Sequence, residues 1–268
     1  MPSVIRAVAG SLFARVNWLR FLLNRHSVRS AFICGCGHTG TSILLRILAT
    51  HPLVNGVPFE TKAFLGQDRW RALAKMYVQA RQVGLPLLLE KTPRHIHKME
   101  LIRRTVPGAK FILTVRDGRD VAASLGKRLA GDYRAAADRW ISDTAIVASN
   151  VGRSDCLLFR YEDFVAEPAR SIEAVCAFLH IDYEPSMLDY HTVWQPRLKS
   201  RGGFDLLRRE DGNFSQSTSA HLELRERQIN SPIFDGRGRW RQDLPADVLD
   251  YLVVGPGKEL MVLFGYGP

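Results

Sequence analysis

The chain has 268 residues, enough for one large α/β domain with a well-buried core or for two small ones. Hydrophobic residues make up 46% and charged residues 24%, with no low-complexity tract or repeat, which excludes a disordered or fibrous chain. The 37 Lys+Arg against 27 Asp+Glu leave a formal charge of +10, which points to an anionic ligand, an anionic acceptor or a membrane surface.

The first element expected is an amphipathic helix within residues 1–28, ahead of a domain over residues 29–268. Ile5, Val8, Leu12, Val16, Leu19 and Leu23 recur at spacings of three and four and line one face, while Arg6, Asn17, Arg20 and Asn24 fall on another. Phe13, Trp18 and Phe21 spill outside the stripe. The stripe is expected to pack on the domain or on a second subunit, as in a homodimer. Peripheral contact with a membrane interface stays open, because the helix is basic and rich in aromatics. No apolar run reaches the roughly eighteen residues of a transmembrane span.

A short apolar strand, Ala31 to Cys34, then leads into Gly35-Cys36-Gly37-His38-Thr39-Gly40-Thr41-Ser42. This matches the phosphate loop G-x-x-x-x-G-K-[ST] except that Thr41 stands where the lysine belongs. Backbone N–H groups from Gly37 to Ser42 can still converge on an anion at the start of the next helix, Thr41 to Thr50. A bound triphosphate with magnesium is not expected, because the lysine that reaches its phosphates is missing. Taken alone, the segment is equally an ordinary glycine-rich turn.

Buried parallel strands are predicted at Leu85 to Leu89, Lys110 to Val115 and Cys156 to Phe159. Helices are predicted at Asp68 to Gln82, Arg94 to Thr105, Gly118 to Leu129, Tyr133 to Val151, Ala169 to Leu179 and Pro245 to Phe264. This alternation predicts a single-domain α/β fold of P-loop type: a mainly parallel sheet with helices on both faces and ligands at the carboxyl ends of its strands. From His191 to Arg239 periodicity fades, which suggests a binding loop or lid, with a helix at Ala220 to Gln228 as the alternative. Arg116 should emerge at the end of its strand, with Ser124 two helical turns on, and together they can grip a second phosphate.

These motifs together resemble the sulfotransferases that use 3′-phosphoadenylyl sulfate (PAPS), over about Phe32 to Leu179 and again at Gly236 to Leu244. Glu90-Lys91-Thr92-Pro93-Arg94 and the run from Val106 to Arg119 are most similar to the tyrosylprotein and bacterial carbohydrate branches. The resemblance implies that the first loop holds the 5′-phosphosulfate and that Arg116 and Ser124 hold the 3′-phosphate. It implies that Tyr161, in Leu158-Phe159-Arg160-Tyr161-Glu162-Asp163-Phe164, contacts adenine. Gly236-Arg237-Gly238-Arg239-Trp240-Arg241 resembles the family's basic loop that closes on the 3′-phosphate, through Arg237 or Arg239.

Sulfuryl transfer needs an acceptor hydroxyl stripped of its proton and stabilisation of charge on the departing oxygen. Many family members place a histidine base two residues after the motif lysine, where this chain has Pro93. The stretch His51 to Lys62 resembles the one that carries the catalytic glutamate of the tyrosylprotein branch, so Glu60 is the expected base and Lys91 the expected partner of the bridging oxygen. His38 departs from the family, which has lysine or arginine there. Either a donor phosphate keeps it protonated, or it is neutral and acts through one N–H. His95 and His97 are expected to be surface or capping residues.

The sequence thus predicts an enzyme that moves a sulfuryl group from PAPS to a hydroxyl acceptor, whether carbohydrate, lipid or peptide tyrosine. A P-loop small-molecule kinase and a non-catalytic nucleotide-binding protein are the alternatives. No metal is expected, because Cys34 and Cys36 have no partner pair at zinc spacing, and a free-thiol set of four cysteines suits a cytoplasmic location. Nucleic acid is not an expected partner, because the arginines are scattered.

Overall fold

A computed structural model describes residues 2–66, 68–192 and 231–267, with the side chains of the first helix from Leu12 onward. Among the described residues five strands form one sheet: β1 (Arg29–Gly35), β2 (Val54–Gly56), β3 (Leu87–Lys91), β4 (Lys110–Val115) and β5 (Cys156–Arg160). Their order is β2-β3-β1-β4-β5 and every pairing is parallel. Parallel pairing needs long crossovers: α1 (Pro2–Asn24) precedes the first strand, α2 (Thr41–Leu48), α3 (Arg69–Val83), α4 (Met99–Thr105), α5 (Gly118–Arg128) and α6 (Tyr133–Asn150) lie in the crossovers, and α7 (Tyr161–Ala166), α8 (Pro168–Leu179), α9 (Trp240–Asp243), α10 (Ala246–Val253) and α11 (Lys258–Leu263) follow the last strand.

Because side chains alternate across a strand, the central strands feed two cores. Phe32 and Cys34 of β1, Leu88 of β3 and Phe111, Leu113 and Val115 of β4 face α1, α3, α4, α5, α6, α10 and α11. Ala31 and Ile33, Leu87 and Leu89, and Ile112 face α2, α7 and α8. The α/β architecture with helices on both faces is the one the alternation of apolar runs predicts.

Several local readings are corrected. β3 starts at Leu87 rather than Leu85, because Gly84 caps α3 in a left-handed conformation (φ 73°) and Pro86 has no N–H for the ladder. The edge strand β2 was too short to show a period. Arg94 to Thr105 divides into a 3-10 segment, Pro93–Lys98, followed by α4. The predicted helix over Pro245 to Phe264 is two helices, since Gly255-Pro256-Gly257 breaks it. Tyr161 opens a short helix directly after β5. The alternative helix at Ala220 to Gln228 lies outside the described residues.

The first helix turns out reversed. Asn17, Phe21, Asn24 and Val28 are buried, while Leu12, Val16, Leu19 and Leu23 are exposed. Phe21 meets Tyr77 edge-on at 5.0 Å and Trp70 at 6.0 Å, and Arg81 Nη1 donates to Asn24 Oδ1 at 3.2 Å. One large aromatic and an amide paired to α3 therefore anchor α1, so its apolar stripe is not the docking face.

Candidate active site

The phosphate loop begins where β1 ends. Gly35 (φ 148°) has no room for a Cβ, which would lie 2.4 Å from the carbonyl oxygen of Thr114 on β4. Thr39 is fully buried; its hydroxyl donates to the Cys36 carbonyl at 2.7 Å and meets Thr114 Oγ1 at 2.7 Å. Its side chain therefore stiffens the loop from inside, and only its amide is left to the cradle. His38 (φ 69°) and Gly40 (φ 85°) take left-handed backbone conformations, and α2 starts immediately at Thr41 with Ser42 next. Successive left- and right-handed residues turn consecutive N–H groups to one side, an anion-binding concavity that the start of a helix reinforces.

The second grip lies against the first. Asp117 caps α5 by accepting from the Arg119 amide at 2.9 Å, which sets the helix that carries Ser124. His38 Nδ1 lies 2.8 Å from Ser124 Oγ, and Arg116 Nη1 donates to the His38 carbonyl at 3.3 Å. Trp140, buried in α6, donates from Nε1 to the Arg116 carbonyl at 3.0 Å and packs so closely on Gly118 that a Cβ there would sit 2.8 Å from its ring. Arg116 is thus held from behind, with its guanidinium 4.2 Å above the Tyr161 ring. Tyr161 closes the group, because a Cβ on Gly40 would meet its ring at 3.0 Å. Burial pushes the Tyr161 hydroxyl pKa up, and this hydroxyl donates to the Phe234 carbonyl at 3.2 Å.

The basic loop docks here through its backbone. Arg116 Nη2 donates to the Gly236 carbonyl, and the buried Asp120 accepts from the amides of Gly238 at 2.9 Å and Trp240 at 3.0 Å. Arg237 instead grips Asp235, holding that carboxyl down at about 2, and Arg239 stacks 5.1 Å over Phe234. Both predicted phosphate ligands therefore sit on the loop that covers Arg116, with their charges committed locally.

Lys91 and Glu60 meet at the other side of the cradle. Lys91 is the last residue of β3, in register with Ile33 of β1, two residues before Gly35. It is buried, its side chain 3% exposed, which corrects its placement beyond the strand; its Nζ lies 2.9 Å from Oε1 of Glu60, whose side chain is 26% exposed. The preceding residue builds this pair. Glu90 is fully buried and its Oε1 accepts from the Thr61 amide (3.2 Å), the Thr61 hydroxyl (2.9 Å) and the Thr92 hydroxyl (2.6 Å), while Oε2 meets His95 Nδ1 at 3.0 Å. His95 Nε2 accepts from the Phe64 amide at 3.2 Å, so the ring proton sits on Nδ1 and is donated to Glu90. Burial alone would raise the Glu90 pKa, but the His95 ring and the hydrogen bonds from His95, Thr92 and Thr61 hold it below the ordinary value. His95 is therefore a buried orienting residue rather than a surface or capping one.

A further arginine lies over the loop. A Cβ on Gly37 would be 3.6 Å from Arg139 Nη2, and Arg139 Nε lies 3.5 Å from Asp143, which is fully buried and also meets His97 Nε2 at 2.5 Å. His97 is exposed, as expected of a surface residue, and it binds a carboxylate on α6 rather than capping a helix. Sequence reading missed Glu90, Asp120 and Arg139. Only Glu90 left a signal, as a charge ending the apolar run Leu87-Leu88-Leu89. Among the described residues no group of three His, Cys, Asp or Glu is arranged to hold a metal.

The sequence and fold have known relatives. A sequence profile described as the sulfotransferase family matches residues 60–185. Protein-tyrosine sulfotransferase 1 of Mus musculus is 30% identical over 277 residues, covering 88% of this chain and 69% of that protein. The chain belongs to the sulfotransferase family. Protein-tyrosine sulfotransferase 2 of Gallus gallus is 28% identical to this family member over 193 residues, 68% of this chain and 47% of that protein. The chain thus spans about half the length of that relative. The fold of this sulfotransferase-family chain is shared with the sulfotransferase domain of the Synechococcus PCC 7002 olefin synthase (TM-score 0.58, 22% identity, 90% of this chain and 96% of that one). It is shared also with a mouse sulfotransferase complexed with PAP (TM-score 0.53, 13% identity, 87% and 85%).

Proposed function

We propose that this protein is a PAPS-dependent sulfotransferase acting on a hydroxyl-bearing acceptor, and the observation that carries the reading is the Lys91–Glu60 pair beside the phosphate loop. The residues present fit the donor. Arg116 Nε is buried with no hydrogen-bond partner among the described residues, in a guanidinium that already reaches both the loop and the covering segment. The PAP-complexed mouse structure supports the same donor, and the protein-tyrosine sulfotransferase relatives support sulfuryl transfer to a hydroxyl.

When bound, PAPS supplies the sulfuryl group, and 3′,5′-adenosine diphosphate leaves. Backbone amides from Gly37 to Ser42 would hold the 5′ end, and Arg116 and Ser124 the 3′-phosphate, with the Arg237 and Arg239 loop above and Tyr161 against the base. Glu60 would take the proton from the acceptor hydroxyl, making its oxygen the nucleophile. Lys91, now paired with Glu60, would supply positive charge to the donor's leaving oxygen. His38, between the two grips, adds an N–H donor or a positive charge. No magnesium is required, because no lysine–triphosphate geometry has to be served.

A cytoplasmic location goes with this reading, supported by four cysteines that are all free, three of them buried. The acceptor class, whether peptide tyrosine, carbohydrate or lipid alcohol, follows from assay. Thermal shift with 3′,5′-adenosine diphosphate should exceed that with ATP and magnesium, and PAPS should sulfate at least one of the three acceptor classes. Equal stabilisation by ATP, with phosphate transfer, would replace the sulfotransferase by a kinase.

A further inference from the structure

The outward face of α1 has no counterpart in the donor or acceptor machinery. Leu12, Val16, Leu19 and Leu23 stand at spacings of four, three and four and are between 42% and 68% exposed. They form a continuous apolar stripe on a helix whose other side, through Phe21 and Asn24, is fastened to α3. At 3.6 residues per turn Arg15 falls on one flank of the stripe and Arg20 on the other. Both are exposed. The sequence from Met1 to Val28 holds Arg6, Arg15, Arg20 and Arg25 and no Asp or Glu.

We propose that α1 seats the protein on an anionic membrane surface, with the four apolar side chains entering the headgroup boundary and Arg15 and Arg20 reaching lipid phosphates or carboxylates on either side. The charge pattern selects this occupant. A second copy of α1 would bring only arginines to the flanks of a helix pair, where opposite charges are needed. An anionic surface instead meets apolar area and cations together, the two contributions that drive interfacial binding. No described helix is long and apolar enough to cross a membrane, so the contact is along the surface. α1 and α3 run in the same direction, with Arg71 over Phe13 and Arg81 bonded to Asn24. The Leu12 end of the stripe therefore lies beside the start of α3, which begins at Arg69, shortly after the Glu60 loop.

The test is cosedimentation of the full chain with phosphatidylcholine vesicles, with and without about one-third phosphatidylserine. Wild type should bind the mixed vesicles and release in high salt. Leu12→Ser with Leu19→Ser, and separately Arg15→Glu with Arg20→Glu, should each lower the bound-to-free ratio by about tenfold or more. Binding of 3′,5′-adenosine diphosphate reports that each variant is folded, and it is independent of vesicle binding. Vesicle binding that neither variant changes, wild type that ignores phosphatidylserine, or a wild-type dimer that the leucine variant converts to monomer would overturn the proposal.

Discussion

The ammonium of Lys91 stands 2.9 Å from the carboxylate of Glu60, although the two residues come from different segments, one ending a central strand and the other lying in a loop after the edge strand β2. The pair places a proton acceptor and a charge donor together at the mouth of the phosphate loop. Glu60→Gln should lower turnover by about 10²- to 10⁴-fold while leaving donor affinity within a few-fold, since proton removal and the ion pair to Lys91 are lost but both anion grips stay. Lys91→Met should cost about 10²- to 10³-fold in turnover. Initial rates and titration of 3′,5′-adenosine diphosphate separate these effects, and a Glu60→Gln enzyme with normal turnover would remove it as the base.

Arg116 joins three pieces of the site: the His38 carbonyl, the Gly236 carbonyl and the Tyr161 ring. Arg116→Ala should weaken 3′,5′-adenosine diphosphate binding by about 2–3 kcal/mol, or roughly 30- to 150-fold. Calorimetric titration measures it directly. An unchanged affinity would take the second grip out of the donor site.

His38 bonds Ser124 at 2.8 Å and so stands between the two anion grips. If its charge is used, His38→Lys should keep turnover at mildly alkaline pH, where the wild-type rate falls as the imidazole loses its proton. Superimposable pH profiles of the two enzymes would assign His38 a neutral, hydrogen-bonding part.

Glu90 is ionised in the fold and held below its ordinary value of 4.5. Its contribution to stability is therefore complete above that ordinary value and is lost as pH falls through the lower folded one. Glu90→Gln should lower neutral-pH stability by about 1–3 kcal/mol, because Thr61, Thr92 and His95 lose a charged acceptor, and it should flatten the acid limb of the stability curve. Denaturant unfolding across pH tests both. The same variant should also raise the acceptor KM, because Thr61 adjoins Glu60.

Much of the fold was legible because its causes are local. Apolar runs at 31–34 and 110–115 mark strands buried on both faces, the run at 156–159 marks a half-buried edge strand, and the glycines of the first loop mark a backbone that only small residues can follow. Boundaries were lost where a single residue acts, as Pro86 does before β3 and Pro256 within the last helical stretch. The face of α1 was misread for a different reason. Periodicity reports that a helix has an apolar side, but what that side meets is settled by neighbours distant in sequence, here Tyr77 and Arg81 of α3, which take Phe21 and Asn24 instead.

The amino-acid order alone carried the parallel α/β plan, the lysine-free phosphate loop and the Arg116–Ser124 spacing, because each depends on residues within one or two turns of one another. Folding in three dimensions decided that His38 touches Ser124, that Asp120 fastens the Gly236–Arg241 loop over Arg116, and that Glu90 and His95 brace Glu60 against Lys91. Those contacts join segments far apart along the chain, and for Asp120, Glu90 and His95 the partners are chosen by burial, where an unpaired charge is too costly to remain.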